Sequence, residues 1–469
     1  MTIAIVWFRR DLRLEDHAAL TAAAAAHEHI LPLYIDAPEE DGEWAPGAAS
    51  RWWLHHSLEA LNRSLGPHQG ALHIRRGGSL EVLKDVIAQT GAVAVYASRL
   101  YEPYALRHDA RVEKALASDG IEVAMYRGNL WVEPWDIQTQ QGQPYKVFTP
   151  FWRTLRADLD LGEPLPVPAS LRCMSLDGGL SIDDLKLLPT LDWATGFAEW
   201  MPGEAGAAEL VELFGDDAVS AYAEARDLPA RHGTSRLSPH LHFGEITPRQ
   251  VAAGLRANIA SSRRHADIEP YLRQLGWREF AHHLLFHFPK TPRENFNPRF
   301  DGFRWKRKDE ALLHRWQRGR TGIPIVDAGM RELWATGWMH NRVRMLVASL
   351  LTKNLRQHWL YGAKWFWETL VDADLANNSL GWQWVAGSGA DAAPYFRIFN
   401  PVTQSAKFDA DAAYIRRWVP ELKDVPSRAI HAPWEDPEIL RRTGYPAPIV
   451  DLKVSRDDAL AAYQLTREG

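Results

Sequence analysis

The stretch DADLANNSLGWQWVAGSGADAAPYFRIFN, residues 372–400, concentrates side chains that can do chemistry. Two carboxylates stand one residue apart (Asp372, Asp374). An amide pair (Asn377, Asn378), two indoles one residue apart (Trp382, Trp384) and the run Tyr395, Phe396, Arg397 follow. Core packing does not ask for that mixture. Acids, amides and stacking rings this close together fit a buried pocket for a flat, hydrogen-bonding, redox-active molecule. The competing reading is a polar loop beside an aromatic core.

Three further clusters carry polar chemistry. In RHGTSRLSPHLHFGEITP (231–248), Thr234, Ser235 and Ser238 are N-cap residue types. Their hydroxyls and the backbone N–H groups of a helix start can hold a phosphate, with Arg236 adding charge; a plain cap is the simpler reading of this segment alone. In YLRQLGWREFAHHLLFHFP (271–289), Gln274, Trp277 and Arg278 fall at i, i+3 and i+4 and share one helix face. An amide, a ring and a guanidinium on one face suit a site that stacks on and hydrogen-bonds a planar group. His282, His283 and His287 have no carboxylate in register, so packing or surface roles are expected of them and no metal is expected in the site. In TGIPIVDAGMRELWATGWMHNRVRMLVASLL (321–351), Trp338, Asn341 and Met345 are spaced three and four, as on one helix face, with Arg342 and Arg344 beside them. More cations lie in FRWKRKDE (303–310) and HRWQRGR (314–320). Interleaved rings and arginines fit a DNA-facing surface, where phosphates meet cations and a base meets a ring; the alternative is a solvated basic face.

Something must position these groups, and the totals bound what. The 469 residues suggest two or three domains, and 46% hydrophobic with 24% charged residues is an ordinary soluble globular composition. No apolar run is long enough to span a bilayer, and MTIAIVWFRRDLRL lacks the layout of a signal peptide. The lone Cys173 excludes an intrachain disulfide and a cysteine-built zinc or iron–sulfur site, and fits a reducing, cytoplasmic setting. A net charge of -5 gives no global attraction to nucleic acid but leaves room for a local basic groove. The 21 tryptophans are conspicuous, because each buried indole N–H wants a partner.

The first half alternates. Strands are expected at residues 3–8, 30–35, 71–75, 92–97 and 121–126, separated by helices beginning near Asp16, Ala49, Leu80 and Pro103. Five short strands alternating with helices predict a five-stranded parallel, doubly wound, Rossmann-like sheet. There is no G-x-G-x-x-G and no P-loop. The charged run RRDLRLEDHAAL after the first strand either lines a ligand edge or forms structural ion pairs, the second being expected. From Trp131 to about Met201 prolines and glycines recur, which predicts a long surface connector with one helix near Phe151–Asp158. From about Ala205 the pattern is helical. The expected organisation is an α/β domain over 1–130, a connector over 131–204 and an all-α domain over 205–469.

Together these residues resemble the photolyase/cryptochrome family of flavoproteins. GTSRLSP, WREF, TGIPIVDAGMREL, TGWMHNRVRM, DADLANN and GWQW stand in that family's order and spacing, and WFRRDLRLEDHAAL and GAASRWW match its antenna domain. Within the family the chain looks most like a microbial cyclobutane-pyrimidine-dimer photolyase of the branch nearest plant cryptochromes. The resemblance implies an antenna domain and a helical FAD-binding domain holding U-shaped FAD, active as FADH⁻. By position it places Tyr222, Thr234, Ser235, Arg236, Leu237 and Ser238 at the phosphates and ribityl chain. It places Arg278, Asn341, Arg344, Asp372, Asp374 and Asn378 around the isoalloxazine and adenine, with Asn378 facing flavin N5. It implies a dimer pocket of Trp277, Asn341, Met345 and Trp384 for a flipped-out lesion. Arg226, Arg342, Arg397 and Lys407 would hold DNA phosphates, and Trp305, Trp359 and Trp382 would relay electrons. The implied reaction is light-driven: one electron passes from excited FADH⁻ to the dimer and returns after the ring splits.

Two positions depart from the pattern. Gln274 stands where the family's cyclobutane enzymes carry glutamate. (6-4) photolyases carry glutamine there, together with two histidines at the places of Asn341 and Met345, which this chain lacks. The cyclobutane assignment is therefore kept. Tyr104-Ala105 replaces the Asn-Glu pair that grips folate in the best-known members, so a methenyltetrahydrofolate antenna is expected elsewhere, near Glu40 and Trp44. The chain ends at Gly469 without the long tail common in receptors of the family, so repair of UV-damaged DNA by a monomeric bacterial protein is the expectation, with a blue-light receptor as the competing class.

Overall fold

The computed structural model describes residues 2–158, 162–262, 268–392 and 396–468; Tyr395 of the aromatic run lies outside them. β1 (Ile3–Phe8), β2 (His29–Asp36), β3 (His73–Arg76), β4 (Ala94–Ser98) and β5 (Glu122–Tyr126) form one sheet in the order β3-β2-β1-β4-β5. Every pairing is parallel, with Ile5 opposite Leu31 and Val6 opposite Tyr96. The expected five-stranded doubly wound sheet is present. β1 is central, and its alternation serves two cores. Ala4, Val6 and Phe8 enter one apolar cluster, and Ile5 and Trp7 enter the other. Helices α1 (Ala18–Ala26), α2 (Ala48–Leu65), α3 (Ser79–Thr90) and α4 (Pro103–Ser118) make the crossovers.

Strand order reverses between β1 and β4, the place where such sheets usually open a crevice. Here charged residues fill it. Arg9 donates to Asp109 (2.6 Å) and to the Ser98 carbonyl, and Arg10 meets Glu102 and donates to the Tyr104 hydroxyl (2.6 Å). Asp11 pairs with His17 at 3.0 Å. These charges of the RRDLRLEDH run make ion pairs.

The connector is not confined to the surface. α5 (Phe148–Asp158) buries Phe148, Phe151, Trp152 and Leu155 against the helical half. Phe197 and Trp200 join the cluster under the sheet, and an isolated bridge ties Cys173 to Ile30. The aromatic patches between its prolines are long enough in apolar area to bury, and they do.

The second half is helical, with α6 (Glu204–Leu213), α7 (Tyr222–Ala225), α8 (Ser238–Phe243), α9 (Pro248–Ser262), α10 (Glu269–His287), α11 (Glu310–Gln317), α12 (Pro324–Thr336), α13 (Asn341–Ser349), α14 (Trp359–Thr369) and α15 (Leu375–Ala386). α16 (Pro401–Phe408), α17 (Ala413–Trp418), α18 (Ser427–Ile430), α19 (Pro437–Thr443) and α20 (Leu452–Glu468) complete it. Among the described residues no helix is long and apolar enough to cross a membrane.

Candidate cofactor and substrate site

α10, α13 and α15 carry most of the chemistry noted in the sequence, and side-chain caps set the starts of the last two. His340 accepts from the N–H of Arg342 to open α13, and Asp374 accepts from the N–H of Asn377 (2.8 Å) to open α15. Trp338 does not share a helix face with Asn341 and Met345, because Gly337, at φ 69°, ends α12 and α13 begins only at Asn341. Nor do Thr234 and Ser235 cap a helix. Leu237 occupies the cap position of α8 without a side-chain bond, and Ser238 is its first residue.

A connected polar chain joins three distant segments. The Ser238 hydroxyl donates to Asp372 Oδ2 (2.7 Å), and Arg344 Nη2 donates to both oxygens of the same carboxylate (2.8 and 3.1 Å). Arg344 is held from the other side by the Met339 carbonyl at 2.7 Å. Nearby, the Tyr271 hydroxyl donates to Ser235 Oγ (2.8 Å), and Tyr222 meets Tyr271 edge-on at 5.3 Å. Leu237 is fully buried beneath, whereas Thr234, Ser235 and Arg344 are half-buried and Ser238 and Asn341 exposed. Asn378 donates from Nδ2 to the Ala363 carbonyl (3.0 Å), which turns its amide oxygen the other way.

Asp374 does more than cap. Its Oδ2 lies 3.5 Å from His242 Nδ1 and 3.5 Å from His282 Nε2. Burial alone would raise its pKa, but the charge of His282 and hydrogen bonds from both imidazoles hold the carboxyl well below the usual range. In return Asp374 pushes His282 up against its own burial, while burial keeps His242 low. The Asp374 carboxylate thus reaches His282 from the start of α15.

The expected substrate-facing groups sort differently. Trp277 stacks on Phe148 with centroids 3.7 Å apart and planes at 9°. Trp384 carries the Arg397 guanidinium 5.4 Å from its ring centre, and Met345 packs half-buried on the same core. Arg342 pairs with Asp227 (2.8 Å) and lies 4.4 Å over Phe408, whose ring Lys407 also approaches at 5.0 Å. Arg226 stands 5.8 Å over Tyr222. Gln274 donates back to the Pro270 carbonyl (3.3 Å). Arg278 turns to backbone, donating to the carbonyls of Asn129 (2.5 Å) and Leu241 (3.3 Å), so in this structure it ties α10 to α8 and to the end of the sheet half. Arg236, at φ 55°, likewise faces outward, to Glu199 (2.9 Å) and the Trp200 ring (4.1 Å).

Of the three tryptophans expected to relay electrons, Trp359 begins α14, Trp382 lies on α15 and Trp305 lies in the loop before α11. Trp382 is buried against Gly362 and edge-on to Phe366 (5.0 Å) and Trp316 (6.1 Å). Trp359 is fully buried, donates to Asn295 Oδ1 (3.1 Å) and stacks on His358 (5.5 Å, 29°). Trp305 meets that same imidazole at 5.1 Å. The sequence reading missed His358, Phe148, Tyr271, His242, Asp227 and Phe408. Of these only Tyr271 carried a signal, three residues before Gln274 on the same helix. Near the expected antenna residues, Glu40 accepts from the Ser79 N–H and hydroxyl (both 2.7 Å) and Trp44 is buried edge-on to Trp367 at 5.3 Å. Asp41 sits between them in sequence, its carboxyl pushed up to about 6 by burial.

The family profile described as the FAD binding domain of DNA photolyase matches residues 271–465, and that of DNA photolyase matches residues 4–169. A deoxyribodipyrimidine photo-lyase of Agrobacterium fabrum is 47% identical, across 99% of this chain and 98% of its own. Cryptochrome-2 of Arabidopsis thaliana is 39% identical, across 99% of this chain and 79% of its own. The solved structure of a bacterial class III photolyase from Agrobacterium tumefaciens superposes with a TM-score of 0.95 at 45% identity, covering 100% of this chain and 98% of that one. A sheet domain and a helical FAD-binding domain, each matched by its own profile and both matched by full-length relatives, make this chain a member of the photolyase/cryptochrome family.

Proposed function

We propose that the protein repairs cyclobutane pyrimidine dimers in DNA under blue or near-UV light, as a deoxyribodipyrimidine photo-lyase. The observation that carries this reading is the Trp277 ring held flat on Phe148, together with Met345 and Trp384 on one shared core and neither (6-4)-type histidine in the sequence. The donor set also fits FAD. Hydroxyls of Thr234 and Ser235 can donate to phosphates, Ser238 would first have to give up its bond to Asp372, and the Arg344–Asp372 pair and the amide oxygen of Asn378 present polar edges to a planar ring. Bound and reduced, FAD supplies light absorption and the electron that the dimer borrows.

The protein's own groups do the rest. Trp277 has one face on Phe148, and the other is offered to a pyrimidine; a ring fixed in this way pays less entropy on stacking. Asn341, at the exposed first position of α13, hydrogen-bonds the pyrimidine edge. Arg226, Arg342, Arg397 and Lys407 take phosphates, with Phe408 holding Arg342 and Lys407 in place. Gln274, one helical turn before Trp277, donates an N–H to the electron-rich dimer but has no acidic proton to give. Asp374, kept ionised by His242 and His282, would hold a fixed negative charge next to a bound flavin, and Asn378 would face its N5 without adding one. Arg278 and Arg236 keep cofactor roles in this reading, Arg278 through its carbonyl partners rather than by facing the ring. Trp382, Trp359 and Trp305 would pass electrons from the surface to bound oxidised flavin. A methenyltetrahydrofolate antenna near Glu40 and Trp44 belongs to the proposal, as do a monomeric state and action on chromosomal DNA.

The likeness to Cryptochrome-2 over nearly the whole chain supports a second reading, a blue-light receptor. One experiment separates them. Reduced protein is illuminated anaerobically with oligonucleotides bearing a cyclobutane thymine dimer or a (6-4) photoproduct, with dark controls. Light-dependent recovery of thymines from the first alone is expected. Recovery from the second alone shows that Gln274 outweighs the missing histidines. Recovery from neither, with flavin bound, moves the assignment to a receptor.

A further inference from the structure

We propose that α2 carries a site for a divalent first-row transition metal, zinc in class, built from His55, His56 and Glu59 and closed by Asp183 of the connector. The ligand atoms of His55, His56 and Glu59 all lie within 4.8 Å of one another. His55 Nε2 is 3.5 Å from Glu59 Oε1 and 4.0 Å from Asp183 Oδ1, and His56 Nδ1 is 3.1 Å from Glu59 Oε2. A tetrahedral ion with bonds of about 2.0–2.1 Å to nitrogen and oxygen separates its ligands by about 3.4 Å. The separations among His55, His56 and Glu59 fit that edge, so rotamer adjustments bring these three to one centre, with Asp183 approaching from the His55 side as the fourth ligand.

Ordinary helix ion pairs account for the site less well. Two imidazoles with ring centres 5.0 Å apart share one carboxylate, and the buried Nδ1 of His55 has no hydrogen-bond partner. A single dication meets both nitrogens in their neutral form and takes the carboxylates as well. The ligands are also held. His55 is 5% exposed at its side chain, and Trp52 packs edge-on to the His56 ring at 4.6 Å while itself lying edge-on to Phe197 of the connector at 5.2 Å. Two imidazoles and two carboxylates suit zinc, cobalt, nickel or copper far better than calcium or magnesium, which favour all-oxygen shells. An ion here would depart from the expectation of no metal, and the site lies outside the histidine run of α10. Asp183 belongs to the connector and is 91% exposed at its side chain, so an ion here pins the connector to α2.

The test uses untagged, FAD-loaded full-length protein stripped with a chelator. Zinc is titrated calorimetrically, and cobalt(II) is added separately for its visible spectrum. One tight equivalent of zinc and an intense tetrahedral-type cobalt spectrum are expected. H56A and E59Q, at partly exposed positions that spare the buried His55, should weaken zinc by more than the roughly 10–100-fold typical of removing a mere supporting partner. D183N should weaken it less and abolish metal-dependent protection of the connector from proteolysis. H287A, in the α10 run, should change nothing. Circular dichroism and flavin content verify folding in each variant. Absence of a tight equivalent, its survival in both H56A and E59Q, or its loss in H287A alone overturns the proposal.

Discussion

Trp277 shows how much one residue's surroundings decide. Its ring already has a partner in Phe148, so it is held flat with one face committed. Trp277→Ala should weaken binding to dimer-containing DNA by about 1–3 kcal/mol, measured by fluorescence anisotropy on variant that retains flavin. Unchanged affinity would remove the ring from the lesion pocket. Trp382→Phe should slow photoreduction of oxidised flavin in stopped illumination while leaving repair by chemically reduced protein intact; normal photoreduction would take Trp382 off the electron path. The types and local spacing of these residues were legible in the sequence, but their partners were not. Phe148 reaches Trp277, Asp227 reaches Arg342 and His242 reaches Asp374 across long stretches of chain, and periodicity reports only neighbours on the same element. Arg278 illustrates the same limit, since its helix face was read correctly while its partners are two carbonyls on other segments.

Element boundaries explain the rest of what the sequence did and did not convey. Strands and helices of the first half were readable because buried β-branched runs alternate with helical stretches, although strand order had to come from packing. Trp338 was placed on the wrong element because three-and-four spacing continues across Gly337, where the left-handed turn breaks the helix. Between α14 and α15 the fit is tight. A methyl group at Gly362 would come within 2.0 Å of Trp382 Cη2. Gly362→Ala should therefore cost about 1–3 kcal/mol by overpacking, seen in the thermal midpoint, and slow photoreduction by displacing Trp382. If both are unchanged, the two helices are looser than described. In the sheet domain, His108 of α4 sits 3.8 Å from Asp109 and 3.2 Å from Glu40, and these partners push its pKa from 6.5 to about 9. The folded value exceeds the unfolded one, so this contribution is complete below about 6.5 and disappears as pH rises through about 9. Denaturant midpoints should fall across that window, and His108→Gln should flatten the fall; an identical slope in the variant would assign it to other groups.

At the scale of the whole molecule the two halves are interlocked rather than merely adjacent. Trp53 of α2 donates to Glu245 just beyond α8 (3.0 Å), Ser50 donates to the Leu370 carbonyl (3.2 Å), and Trp367 of α14 donates to the Ala45 carbonyl (2.8 Å). Asp16 accepts from Thr247 (2.5 Å) and pairs with Arg249, while Arg13 donates to the Gly244 carbonyl (2.8 Å). Breaking a buried pair of this kind leaves an unmet charge or donor, so neither half should come apart alone. Calorimetric unfolding of the flavin-loaded protein should show one cooperative transition; two separated ones would mean that the seam is weak. The seam also bears on how such a chain can be rearranged. Recombination between relatives that cuts in the proline-rich connector would inherit the sheet from one parent and Glu245, Thr247 and Arg249 from the other. A viable hybrid must bring matching residues on both sides of the cut, so the sheet domain travels through descent as half of a lock rather than as a detachable cassette.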